Sequence, residues 1–88
     1  MPYRIELSAH VQRNIDGLPK KDAARIAQAL AVLKDDPRPR GVLKVKNASV
    51  TTWRLRVGRF RALYTVSDRM QLIVVLHVRR RSEDTYDV

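Results

Sequence analysis

Hydrophobic and polar positions alternate most sharply between Trp53 and Val66, where a period of two runs through two segments joined at Gly58. Successive side chains of a strand point to opposite faces, so Trp53, Leu55 and Val57 are set toward a core while Arg54 and Arg56 project from the other side. After Gly58 the alternation resumes, with Phe60, Ala62, Tyr64 and Val66 on one face and Arg59, Arg61, Leu63 and Thr65 on the other. The pattern predicts a β-hairpin whose apolar face is buried and whose opposite face carries a cluster of guanidiniums.

Tyr3, Ile5 and Leu7 alternate more weakly and predict a short first strand, after which Ser8 suits a helix N-cap. Val11, Ile15 and Leu18 then follow at helical spacing, a short amphipathic helix that Gly17 and Pro19 help to end. A second helix is predicted from about Lys20 to Lys34, with Ala23, Ile26, Ala27, Leu30 and Leu33 as its apolar stripe and Lys21, Asp22, Arg25 and Gln28 facing outward. The breaker cluster from Asp35 to Gly41, with Pro37 and Pro39, closes this helical hairpin.

Val42 to Val45 reads as a strand, Asn47 to Ser49 as a polar turn, and Ser67 to Arg69 as the turn that follows the hairpin. Gln71 to Val78 is apolar on both faces up to His77, which predicts a central strand covered on both sides, and the polar residues Arg79 to Val88 are expected to end the sheet. The order defines an α+β fold: an N-terminal strand and a two-helix hairpin packed on a three- to four-stranded antiparallel sheet. The helices take one face of that sheet, leaving the other to solvent, RNA or another chain.

Residues 1–88 fit one small domain. A chain of this size buries only about 60–65% of its unfolded surface, so stabilisation by a partner is expected. The absence of cysteine excludes disulfides and thiolate metal sites and fits a reducing cytosol. No apolar run approaches the roughly 20 residues that span a bilayer, so a soluble, cytoplasmic protein without a membrane partner is expected.

Charge sharpens the picture. Eighteen Lys and Arg against nine Asp and Glu leave a net charge of +9, which points to an anionic partner, nucleic acid being the commonest. Between Trp53 and Arg81 stand eight Arg and one acid, Asp68, and every Lys lies before residue 47. A guanidinium is planar, permanently charged and forked, and so matches two oxygens of a phosphate. Arg54, Arg56 and Arg61 are therefore candidate phosphate contacts, although the same pattern also describes a merely solvated sheet face.

His77 brings an imidazole, which titrates near neutrality, but a lone His after an apolar strand serves structure as readily as chemistry. His10, in the first helix, is expected to be exposed, and two His without supporting ligands make no metal site. Trp53, Phe60 and Tyr64 fall with the core by alternation rather than on bases.

Taken in order, Tyr3 to Ser8, the Leu18-Pro19-Lys20 link, the Leu33 to Pro37 loop, Trp53 to Gly58 and the Arg61 to Tyr64 spacing resemble the RelE/ParE superfamily of bacterial toxins of type II toxin–antitoxin pairs. The closing segment from Val78 to Tyr86 matches the family's terminal Arg and Tyr, so the resemblance spans nearly the whole chain. RelE-like members are ribosome-dependent endoribonucleases that cut mRNA in the decoding site without metal or cofactor. ParE-like members share the fold and act on DNA gyrase. Both are neutralised by a small antitoxin.

The resemblance therefore implies a cognate antitoxin, with which this chain forms a hetero-oligomer, whose acidic segment covers the Arg face or the helix groove. It further implies the ribosome, rRNA and mRNA as partners, and no cofactor. The RelE active-site cations fall on Arg54, Arg56 and Arg61, with the tail cation on Arg81 counted from Val78 or on Arg80 counted from Tyr86. Tyr86 takes the place of the catalytic Tyr, and Arg59, Arg79 and His77 are secondary candidates. Glu83 and Asp84 stand beside the tail Arg as local ion-pair partners or as an assisting base.

Two departures matter. Some RelE proteins carry Lys where this chain has Arg54 and Arg56, and Arg cannot serve as a base, which casts both residues as phosphate clamps. Related toxins use a Glu near the second strand and a tail His as base and acid; here that region offers no carboxylate, and the only nearby His is His77. A ParE-like gyrase inhibitor and an inactive RNA- or antitoxin-binding remnant are the alternatives to the nuclease.

Overall fold

In the computed structural model, which describes residues 2–80, the chain runs β1 (Arg4–Leu7), α1 (Ala9–Asp16), α2 (Lys20–Leu33), β2 (Leu43–Lys44), β3 (Trp53–Val57), β4 (Phe60–Ser67) and β5 (Leu72–Arg80). One five-stranded sheet has the order β1-β5-β4-β3-β2. Strands β2 to β5 form an antiparallel meander. The expected α+β arrangement is present with one pairing more, because β1 joins the sheet parallel to β5, setting Ile5 opposite Ile73 and Leu7 opposite Val75. Connectivity accounts for it. The chain leaves β1, crosses one face as two helices and re-enters at the far edge, so the meander brings its last strand back beside its first.

Local chemistry fixes the helices. The Ser8 hydroxyl oxygen accepts a hydrogen bond from the Val11 N–H at 3.1 Å, satisfying one of the donors that a helix start leaves unpaired. Helix α1 buries Val11 and Ile15, and α2 buries Ile26, Leu30 and Leu33. Ala27, expected in the same stripe, is exposed. It borders a shallow groove of about 330 Å³ between α2 and β1 that Ile5, Leu7, Ile15 and Leu30 also line.

The helices and the inner face of the sheet share one core, with Val57, Phe60, Ala62, Tyr64, Ile73, Val75 and Val78 supplied by the strands. Burying an Ile, Leu or Val side chain fully contributes about 1.5–3 kcal/mol each. The hairpin therefore faces the way its alternation predicts, with Trp53 and Leu55 half-buried against the same core.

Strand β5 departs from its prediction in two ways. Among the described residues no helix covers its outer face, and Leu72, Val74 and His77 there are half-buried while Leu76 is exposed. Moreover the β4–β5 register shifts by one residue: Leu63 faces His77 but Tyr64 faces Val75, leaving Leu76 without a partner. An extra residue of this kind resets the phase of a strand. Simple alternation from Ile73 would put His77 in the core and Val78 outside; the shift buries Val78 and puts His77 and Arg79 on the open face. The strand also continues to Arg80, past the point where the polar sequence was expected to end it, because Arg79 and Arg80 pair with Arg61 and Phe60.

Candidate nucleic-acid interface

Strands β3 and β4 meet in a hairpin whose two-residue turn is Gly58-Arg59, between the paired Val57 and Phe60. Gly58 takes φ +58, the conformation that the first central position of such a turn requires, and a Cβ there would also stand 3.0 Å from the Arg25 guanidinium. The turn sets the register that places Arg56 opposite Arg61 and Arg54 opposite Leu63. On the next strand Arg79 faces Arg61. Arg56, Arg61 and Arg79 thus form a row across three strands on the open face.

Like charges directly opposite each other destabilise a sheet. The three strands hold the cationic side chains on rigid backbone, and the open side of the hairpin forms a concavity of about 430 Å³ lined by Arg40, Arg54, Arg56 and Arg61 together with Gly41, Leu43 and Leu55. Among the described residues no carboxylate lines it. Arg54 and Arg61 are half-buried and Arg56 is exposed.

The other sequence candidates divide. His77 is half-buried on the same face, opposite Leu63 and one strand away from the concavity. Arg59 sits in the turn at the tip of the hairpin rather than on the strand face, because the turn consumes it. Arg80 pairs with Phe60, a core-face residue, so it is placed at the helix side of the sheet end and not with the row. Arg81, Glu83, Asp84 and Tyr86 lie outside the described residues. His10 is exposed beside Asn14, as expected. Among the described residues no three His, Asp or Glu stand close enough to hold a metal ion, and no helix is long and apolar enough to cross a membrane.

Sequence reading passed over the loop between α2 and β2. Arg38 and Arg40 looked like part of a breaker cluster, yet Arg40 and Gly41 form one wall of the concavity. The legible signal was two cations fixed between Pro37, Pro39 and a Gly immediately before a strand, a short stiff loop that places side chains.

A polar cluster secures this loop. The Arg38 guanidinium grips Asp68 at 2.8 and 3.3 Å and lies 5.6 Å from the centre of the Trp53 ring. The Tyr3 hydroxyl donates to the same Asp68 at 2.6 Å. Buried Tyr64 donates its hydroxyl to the Pro37 carbonyl at 2.7 Å. The Arg38 and then the Tyr3 hydrogen bonds hold the Asp68 carboxyl below its ordinary value, and the Asp68 bond raises Arg38 and Tyr3. Burial pushes the Tyr64 phenol up to about 12.

The family model described as the ParE toxin of the type II toxin–antitoxin system parDE matches residues 5–85. A candidate RelE toxin of Methanocaldococcus jannaschii is 25% identical over 83 residues, covering 92% of each chain. Among solved structures, the toxin of the archaeal RelE–RelB complex from Pyrococcus horikoshii is 27% identical with a TM-score of 0.81, over 92% of this chain and 97% of that one. The RelBE2 toxin–antitoxin complex of Mycobacterium tuberculosis gives 26% identity and a TM-score of 0.78, over 92% and 100% of the two chains.

Proposed function

From the membership of this chain in the RelE/ParE superfamily of type II toxin–antitoxin toxins, we propose that it is a ribosome-dependent endoribonuclease that cleaves mRNA in the A site. The observation that supports this reading is the convergence of Arg40, Arg54, Arg56 and Arg61 on one concavity.

In the proposed reaction the ribose 2′-oxygen attacks the adjacent phosphorus, the new 2′-O–P bond forms and the P–O5′ bond breaks. The products are a 2′,3′-cyclic phosphate and a 5′-hydroxyl. The 2′-hydroxyl proton passes to a base and the leaving 5′-oxygen takes a proton. Negative charge grows on the phosphorane oxygens between these events. Guanidiniums fixed on β3 and β4 stabilise it most at that stage, the differential effect that accelerates a reaction. Permanently charged groups bind and polarise but carry no proton. The proton carriers in this proposal are His77, on the open face one strand from Arg61, and Tyr86.

A small open site lacks the order that holds a flexible RNA in attack geometry, and ribosome-bound mRNA supplies it. An antitoxin is the proposed regulatory partner, as the RelE–RelB and RelBE2 complexes illustrate for similar chains. An acidic segment over the arginine row and an apolar segment in the groove beside Ile5 and Leu30 would together silence the site.

The match to the ParE family model favours one other reading, a gyrase inhibitor that acts by binding alone. Mapping both ends of mRNA fragments from programmed ribosomes separates the two. The nuclease leaves a 2′,3′-cyclic phosphate within the A-site codon and fails on mRNA carrying a 2′-deoxy residue there. Intact mRNA together with inhibited gyrase supercoiling would establish the other.

A further inference from the structure

We propose that Asp68, acting through Arg38, positions the loop from Pro37 to Gly41 so that Arg40 supplies an additional phosphate contact at the rim of the concavity. The inference rests on reading that concavity as an RNA phosphate site.

The placement follows from how the loop is held. Its start is anchored from below, where fully buried Tyr64 donates to the Pro37 carbonyl. The next residue is gripped from the side by Asp68 of the β4–β5 turn, whose two carboxylate oxygens take the two arms of the Arg38 guanidinium. Trp53, the first residue of β3, presents its ring to the same guanidinium. Tyr3 ties Asp68 to the chain just before β1, and the Tyr3 N–H bonds the Lys34 carbonyl at 2.8 Å, so the entry to the loop is fastened to the same corner.

Three residues further on, Gly41 turns the chain with φ +98, and Arg40 and Gly41 come to line the wall facing Arg54, Arg56 and Arg61. Pro37 and Pro39 stiffen the path between anchor and wall. The clamp itself is outside the concavity, since neither Arg38 nor Asp68 lines it. Its side chains are 37% and 60% exposed, and a pair so exposed contributes little to stability by itself. Its consequence is where Arg40 stands.

This makes a sign prediction that charge alone does not. Asp68 is the one carboxylate among the Arg-rich strands, and removing it raises the net positive charge, which by general electrostatics tightens binding of any anion. If Asp68 positions Arg40, its removal weakens binding instead.

The test measures binding of a short fluorescein-labelled single-stranded RNA, 2′-deoxy at every position that could be cut, across a range of salt. Arg40→Ala is expected to weaken binding about fivefold and to lower the salt slope by about 0.7, the value of one released counterion on a single strand. Asp68→Asn is expected to weaken it about threefold, and the double variant to bind no worse than Arg40→Ala. The emission of Trp53, the only tryptophan, reports release of the clamp in the same samples. Should Asp68→Asn fail to fold, Arg38→Lys keeps the charge, loses the paired grip and is expected to show the same threefold loss.

Tighter binding by Asp68→Asn, or losses that add in the double variant, would overturn the proposal. Because the probe cannot be cleaved, the result is independent of catalysis. Non-additive losses without mRNA cleavage on ribosomes would leave the loop assignment standing and sink the nuclease; additive losses with cleavage would do the reverse.

Discussion

The two faces of this sheet are built from the same strands and obey opposite rules. On the helix side, Tyr64, Ile73 and Val75 are fully buried in one continuous apolar core. On the open side, Arg56, Arg61 and Arg79 stand opposite one another in a row across three strands. One face is a continuous apolar core, and the other gathers guanidiniums of the kind that a polyanion matches. That difference locates function more directly than any single motif does.

The comparison is easiest to break at the core. Ile73→Ala is expected to cost about 2–5 kcal/mol in denaturant unfolding, because it leaves a cavity between β1, β4 and the helices. Arg56→Gln on the opposite face should leave stability unchanged or raise it by a few tenths of a kcal/mol at low salt, with the gain vanishing as salt screens the row. A large loss from Arg56→Gln would mean that the open face is part of the structural core.

Catalysis should show the reverse ranking. Arg61→Ala is expected to lower ribosome-dependent cleavage by about 10²–10³-fold, the scale of losing one donor to a developing oxyanion, while a conservative core change such as Ile73→Val leaves it intact. Comparable losses from both would remove the functional distinction between the faces.

Tyr64 links the two regions, since its ring is in the core and its hydroxyl holds the loop that borders the open site. Tyr64→Phe leaves the Pro37 carbonyl without that donor and should cost about 1–2 kcal/mol. The phenol is raised from 10.0 to about 12 by burial, so its contribution is complete below pH 10 and is lost as pH rises through 12. Alkaline unfolding should therefore shift upward in Tyr64→Phe relative to that variant's stability at neutral pH.

The smallest effect expected is at Asp68. Its carboxyl is lowered by Arg38 and Tyr3, so the stabilisation is present above the ordinary value of 3.8 and fades as pH falls through the lowered one. Asp68→Asn should flatten that part of the acid limb and leave the rest of the curve in place.

How much could be read in advance also differs between the faces. The core face was legible because alternation and helical spacing are direct consequences of burial, and the residues assigned to it from Trp53 to Val66 are those that pack there. The arginine row was legible only as far as β4. Whether Arg79 joins it depends on the unpaired Leu76, a one-residue register shift that an uninterrupted apolar run conceals. Parallel pairing of β1 with β5 was hidden for a related reason, since nothing local in either strand encodes a partner so distant in sequence. Arg40 was missed because proline and glycine announce a loop without saying what the loop carries to its neighbours.

Cleavage of a defined mRNA on programmed ribosomes, mapped by primer extension for the wild type and for an Arg54→Ala/Arg61→Ala variant of matched thermal stability, tests the central claim most directly. The expected result is a cut within the A-site codon by the wild type and none by the variant. Intact mRNA with the wild-type protein, while the same protein remains toxic in cells, would contradict it.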